Sequence, residues 1–378
     1  MKMKALMEFC DLNMGQSPNS ETYNEENIGL PFFQGNADFG EVYPKVRIWC
    51  SSPVKVAAVG DILISVRAPI GAMNIANTPC CIGRGLAALS PNPDTCMREY
   101  LYYALQSRID WLIAQGTGST FKAIGRKTLE GTQIPAYSLD EQQIISDTLS
   151  KTDQLITKAK AQASLLDELV KSRFVEMFGD PDKNPMNWKT AELAHHLEII
   201  GGFAFKSEGF ADIGIPVLRI GNINSGHFLP VNMVFWQDDP MLARYKMYPG
   251  DLVMSLTGTV GKDDYGNVCI LGNEYPEYYL NQRNAKLAIK ATLNKCYLSE
   301  MLKFSKIKKR LTGISRGVRQ ANISNRDILA LCVPIPPIAL QEQFATFVEQ
   351  ADKSKLAVKQ SLEKLETLKK SLMQQHFG

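Results

Sequence analysis

The sequence predicts an α+β chain written twice: two strand-rich globular heads, related by a pseudo-twofold, joined by two long α-helices that form an antiparallel coiled coil. Three observations predict it. "IPAYSLDEQ" at 134–142 returns almost unchanged as "IPPIALQEQ" at 335–343. Each copy opens a long polar-and-apolar run, and each run closes on the same dipeptide, Phe178-Gly179 and Phe377-Gly378. Four further matches keep the same order.

"GLPFFQGN" (29–36) echoes "GIPVLRIGN" (214–222), and "GDILISVRAPIG" (60–71) echoes "GDLVMSLTGTVG" (250–261). "EYLYYALQS" (99–107) pairs with "CYLSEMLKFS" (296–305), both with helical periodicity. "LDELVKSRFVEMFG" (166–179) matches "LETLKKSLMQQHFG" (365–378) at the Leu, Leu, Lys, Ser, Phe and Gly positions. Spacing between copies drifts along the chain, as surface insertions in a diverged duplication would make it.

The elements then fall in order. Residues 1–137 form the first head, where "DILISV" reads as a buried strand among Gly, Asn and Pro breaks. Residues 138–179 form the first long helix, which lacks Pro and Gly from Leu139 to Phe178. Ile145, Leu149, Thr152, Ile156, Ala159, Ala163, Leu166, Val170 and Met177 recur at alternating four- and three-residue steps, with Arg173 interrupting, as the seam of a coiled coil does. "SLDE" at 138–141 suits a capping box. Residues 180–337 form the second head, with "PVLRIGNI" and "DLVMSL" as strands, and 338–378 the second helix. Its seam is Phe344, Val348, Ala351, Val358, Leu362, Leu365 and Leu372, and Ala339 stands where Ser138 caps the first copy. About 40 helical residues span roughly 60 Å. The second helix returns toward the first head, so the pairing is antiparallel.

Composition bounds the function. With 45% hydrophobic and 21% charged residues the chain is an ordinary globular protein. The start "MKMKALMEFC" breaks its apolar run at Glu8, and no stretch reaches a membrane span of roughly 18 apolar residues, which places the protein in the cytoplasm. Eight cysteines without a Cys-x-x-Cys read as reduced thiols. The net charge of +3 is uneven: residues 1–180 carry 17 Lys+Arg against 20 Asp+Glu (−3), and 181–378 carry 25 against 19 (+6). "KFSKIKKRLTGISRGVR" (303–319) is basic throughout, either a solvated helix face or a phosphate-contacting surface. No phosphate-binding Gly-x4-Gly-Lys-Ser/Thr loop occurs, no Glu-x-Lys or Asp-x-Lys tripeptide, and none of the four histidines has metal-ligand spacing. No catalytic residue and no metal site is expected.

Together these features resemble the specificity subunits of type I restriction–modification systems. Besides the two helix starts, the resemblance rests on "GFAFKSEGF…GIPVLRIGNI" (202–223), "MGQSPNSETYNEENIGLPFFQGN" (14–36) and "CCIGRGLAAL" (80–89), and it covers essentially the whole chain. It implies two target recognition domains, each reading one half of a bipartite, asymmetric double-stranded DNA target, with the coiled coil setting the gap. It implies no chemistry in this chain. Two modification subunits would bring S-adenosylmethionine and methylate adenine, and restriction subunits would translocate and cleave DNA with ATP and Mg. Arg suits guanine and Asn or Gln adenine, which makes Gln34, Asn36, Arg67 and Arg84 candidates in the first head. Lys206, Arg219, Asn222, Arg283, Arg316 and Arg319 are their counterparts in the second. Phosphate contacts fall to Lys122, Arg126 and Lys127, and to Lys306, Lys308, Lys309 and Arg310. A recognition component of a related two-subunit, type IIB-like enzyme, or a scaffold with two non-DNA binding heads, would share these features.

Overall fold

The computed structural model describes all residues except 1, 119–121, 225, 263 and 314–319. The chain divides into two compact units, Met1–Lys160 with Gln360–Gly378, and Ala161–Lys359.

In the first unit an inner antiparallel sheet orders its strands Cys10–Met14, Leu86–Pro91, Ile62–Ser65, Met73–Ile75. An outer sheet orders Tyr23–Asn24, Trp49–Cys50, Leu30–Phe33, Cys80–Ile82, Val56–Ala57, with Leu30–Phe33 and Cys80–Ile82 parallel. Met3–Ala5 pairs with Gln133–Pro135 beside them. The second unit repeats this scheme. Its inner sheet runs Leu197–Gly201, Asn284–Ile289, Leu252–Ser255, Val268–Ile270. Its outer sheet runs Val234–Trp236, Ile215–Leu218, Tyr278–Leu280, Lys246–Met247, again with the middle pair parallel. Thr190–Glu192 pairs with Cys332–Pro334. An added ladder joins Thr257–Thr259 to Gln320–Asn322.

The repeated Gly-Asp has a shared mechanical cause. Gly60 and Gly250 hold φ of +91° and +85°, a region that favours glycine. The following carboxylates, Asp61 and Asp251, accept the N–H of Ala58 (2.8 Å) and Tyr248 (2.9 Å), closing the turn. Each turn launches a wholly buried strand, Ile62–Ser65 or Leu252–Ser255.

The two long helices are Leu139–Phe178 and Ile338–Phe377. Ser138 caps the first: its N–H donates to Glu141 Oε2 (2.8 Å) and its hydroxyl accepts the Glu141 N–H (3.4 Å). The Ser138 donors hold the Glu141 carboxyl below its usual range. Within the first unit the helices approach antiparallel, with Lys369 on Asp153 (2.7 Å) and Lys160 on Glu366 (3.5 Å). Ile145, Leu149, Ile156 and Ala159 are buried there, and Leu362, Leu365 and Leu372 half-buried. Within the second unit Lys355 meets Asp167 (2.7 Å) and Phe174 meets Phe344 (5.5 Å), also antiparallel. Val170, Phe344, Val348, Ala351 and Val358 are buried, and Ala163 and Leu166 half-buried.

The terminal Phe-Gly pairs anchor each helix end in a head. Phe178 packs on Tyr297 at 4.8 Å between centroids, and Phe377 on Tyr100 at 5.4 Å; both phenylalanines are buried. Gly179 has φ +77°, its N–H reaches Val175 O (2.8 Å), and a Cβ would lie 2.6 Å from Pro185 Cγ.

One alignment needs correction. The spatial counterpart of Ile134-Pro135 is Val333-Pro334, not Ile335-Pro336. Pro135 pairs with Met3 and Pro334 with Thr190, and their carbonyls accept the hydroxyls of Tyr100 (2.7 Å) and Tyr297 (2.9 Å). On this register Ser138 corresponds to Pro337, not to Ala339, and Gln142 to Gln341. The proline-rich "VPIPP" holds two Ile/Val-Pro dipeptides, and strand pairing with Thr190 selects the earlier.

Candidate nucleic-acid interface

In the first unit four loops meet beyond the outer sheet. Gln34 directly follows strand Leu30–Phe33. The Gly83-Arg84-Gly85 turn lies against it: the Gly83 N–H donates to Phe33 O (2.8 Å), and a Cβ on Gly85 would fall 2.3 Å from Gln34 O. Only glycine permits that approach, which seats Arg84 beside Gln34. Val66 N–H donates to Gly85 O (2.9 Å) and Ala68 N–H to Lys122 O (3.1 Å), which brings Arg67 and Lys122 to the same edge. Gln34, Arg67, Arg84 and Lys122 are exposed, Asn36 half-buried, and no carboxylate pairs with the three cations among the described residues. A cavity of about 650 Å³ lined by Phe32, Gln34, Asn36, Asp38, Arg47 and Pro69 opens here.

The loop is held from below. Asp38 is buried, accepts the Gln34 N–H at Oδ2 (2.7 Å), and forms an ion pair with Arg47.

The second unit gathers a comparable edge. Arg219 follows strand Ile215–Leu218, and its N–H donates to Asn222 Oδ1 (3.0 Å). Asn284 Nδ2 donates to Leu218 O (2.7 Å), fixing the neighbouring Arg283 next to this strand end. Phe203 bridges Asn281, and Lys206 follows three residues later. Lys206 and Arg283 are exposed and without carboxylate partners among the described residues. Arg219 is half-buried and donates through Nη2 to Asn232 O.

Two candidates serve the fold instead. Asn222 is buried, and its amide donates to Leu229 O and Val231 O, both at 3.0 Å, so it ties down a loop and presents no edge to solvent. Lys308 is buried with Nζ on Asn267 Oδ1 at 2.7 Å. It lies on the inner face of helix Ser305–Thr312, with Ile307 and Leu311, where a sequence run alone shows only charge.

Three more cations are engaged at the surface. Arg126 bonds Glu130 and Leu12 O (both 3.1 Å), Lys306 Asp182 (3.4 Å), and Arg310 Cys332 O (2.9 Å). Lys127 and Lys309 are exposed. Arg316 and Arg319 lie outside the described residues. Sequence reasoning missed the positioning role of Asp38; its signal was the four-residue spacing from Gln34, a local carboxylate-to-backbone turn.

Among the described residues no cluster of His, Cys, Asp or Glu could hold a metal, and no helix is long and apolar enough to cross a membrane.

The family description "Type I restriction modification DNA specificity domain" matches residues 1–165 and 185–368. The chain belongs to the type I restriction–modification DNA specificity family. A Methanocaldococcus jannaschii protein named "Putative type I restriction enzyme MjaX specificity subunit" is 43% identical over 152 residues, 39% of this chain and 35% of that protein. The "Type I restriction enzyme MjaVIII specificity subunit" of the same organism is 25% identical over 292 residues, 72% of this chain and 68% of that protein. The match thus spans about a third of the first relative's length. The fold is that of the type I restriction–modification S subunit from M. genitalium: TM-score 0.62, 17% identity, 100% of this chain and 96% of that one.

Proposed function

We propose that this family member is the non-catalytic, sequence-reading subunit of a type I restriction–modification complex, each unit reading one half of a bipartite, asymmetric DNA target. One observation carries the proposal. Two copies of one fold present, at comparable edges, different sets of amide and cationic side chains: exposed Gln34, Arg67 and Arg84 against exposed Lys206 and Arg283 with half-buried Arg219. Unlike side chains on like scaffolds give unlike half-sites. The unpaired cations favour a polyanion, because their charge is not spent inside the protein.

The paired long helices act as the antiparallel coiled-coil spacer that fixes the gap. Their second, exposed apolar positions, Ile144, Leu155, Leu165, Leu169, Leu356 and Leu368, support docking of helices from two modification subunits. S-adenosylmethionine belongs to those partners, and ATP with Mg to the restriction subunits; the complex works in the cytoplasm.

The test is a gel shift of the assembled chain and modification subunits against random-sequence duplexes. A salt-sensitive preference for a bipartite motif is expected, and binding indifferent to sequence refutes the proposal.

A further inference from the structure

We propose that Gln34 and Arg219 are the equivalent base-reading residues of the two heads, with Asp38 and Asn222 as the residues that position them. The inference rests on the DNA-reading function above.

Each is the first residue after a middle strand of the outer sheet, and the residue before it, Phe33 or Leu218, is fully buried. That burial fixes where the chain leaves the sheet. Each then donates its N–H to a buried side chain three or four residues on, Asp38 Oδ2 at 2.7 Å or Asn222 Oδ1 at 3.0 Å. Those acceptors are themselves held, Asp38 by Arg47 and Asn222 by two loop carbonyls. Two unlike side chains, a carboxylate and an amide, thus do one job on one scaffold. The strand end and its side-chain anchor recur in both heads, with a turn one residue longer in the first, where Gly35 N–H also donates to Asp38 Oδ2 (3.4 Å), while the projecting group differs. An amide complements the N6/N7 edge of adenine, and a guanidinium the O6/N7 edge of guanine. Arg219 Nη2 already donates to Asn232 O, which holds one prong of the fork and leaves its other donors for a base.

The test uses the full chain assembled with its modification subunits, and reads the methylated motif on a randomised DNA library. Gln34→Arg should move one base pair of one half-site from A·T to G·C with a preference of roughly tenfold or more, leaving the other half unchanged. Arg219→Gln should make the reverse change in the other half. Asp38→Ala should relax the same base pair that Gln34→Arg alters, and Asp38→Asn, which keeps an acceptor, should restore it; a merely structural role would not follow that pattern. If the unaltered chain selects a motif and neither Gln34→Arg nor Arg219→Gln changes it, or each changes both halves, the assignment is overturned. If the unaltered chain selects no motif, the DNA-reading function falls and takes this inference with it.

Discussion

Replacing Gln142 by Ala strikes the joint between head and helix. Gln142 is fully buried; its Oε1 accepts the Met97 N–H (2.9 Å), and its Nε2 donates to Thr95 O and Tyr137 O (both 3.0 Å). Thr95 is exposed, so its carbonyl can turn to water, whereas the Met97 N–H and Tyr137 O lose the Gln142 bond in half-buried surroundings. Each lost bond costs about 1–3 kcal/mol, giving roughly 2–6 kcal/mol for the two. For a unit of this size each kcal/mol lowers Tm by about 2–4 °C, so a fall on the order of 4–24 °C is expected. Gln143 next door is exposed and bonds Asp147 (2.9 Å) at the surface; Gln143→Ala should stay within about 0.5 kcal/mol of the parent. Calorimetry of the full chain measures both. A Gln142→Ala transition within 2 °C of the Gln143→Ala transition, against the ~4 °C minimum expected, would show that the buried amide does not hold the joint.

Phe174→Ala removes a ring stacked on Tyr297 (5.3 Å, 16°) and in contact with Phe178, Phe304 and Phe344; a loss of about 3–5 kcal/mol should appear in chemical denaturation. A loss below about 1 kcal/mol, well under that range, would refute the packing. Burial pushes the Cys10, Cys80 and Cys96 thiols up to about 12, whereas Cys332 is exposed, so mass spectrometry after brief alkylation should find Cys332 modified and those three intact. Rapid labelling of Cys80 would contradict its burial. Burial lowers the Lys355 pKa, but the Asp167 hydrogen bond and charge outweigh it and leave a net rise above 10.5. Its stabilisation is therefore complete below 10.5 and lost only as pH climbs through the folded value. Lys355→Met should accordingly shift stability by the same small amount at pH 6 and pH 9, and a pH-dependent difference across that window would be inconsistent with the pair.

The legible parts of the fold were those with local causes. A Gly-Asp pair demands a particular turn, and an unbroken heptad run demands a partner helix, so both copies could be traced without coordinates. Phe178 and Phe377 showed in the sequence only as matched ends of the repeat, and Phe174 not at all, because all three serve the cores of the heads rather than the seam and the heptad does not mark them. The pairs Lys355–Asp167 and Lys369–Asp153 join residues about two hundred positions apart on different helices, and nothing local in the sequence displays them. At the candidate interface, residue chemistry nominated Gln34, Arg67, Arg84, Lys206 and Arg283, all exposed in the structure. It also nominated Asn222 and Lys308, whose partners, Val231 and Asn267, are set by tertiary folding that a single sequence does not display.

Phe377 lies in the same core as Leu6, Tyr100 and Ile145. On a ribosome adding about 5–20 residues per second, the first head waits roughly 12–48 s for that ring after its own last strand, Gln133–Pro135, is made. During that interval the face around Tyr100 is open to solvent, to chaperones, or to the corresponding helix of another nascent chain. Of the two units, the one made first is closed second.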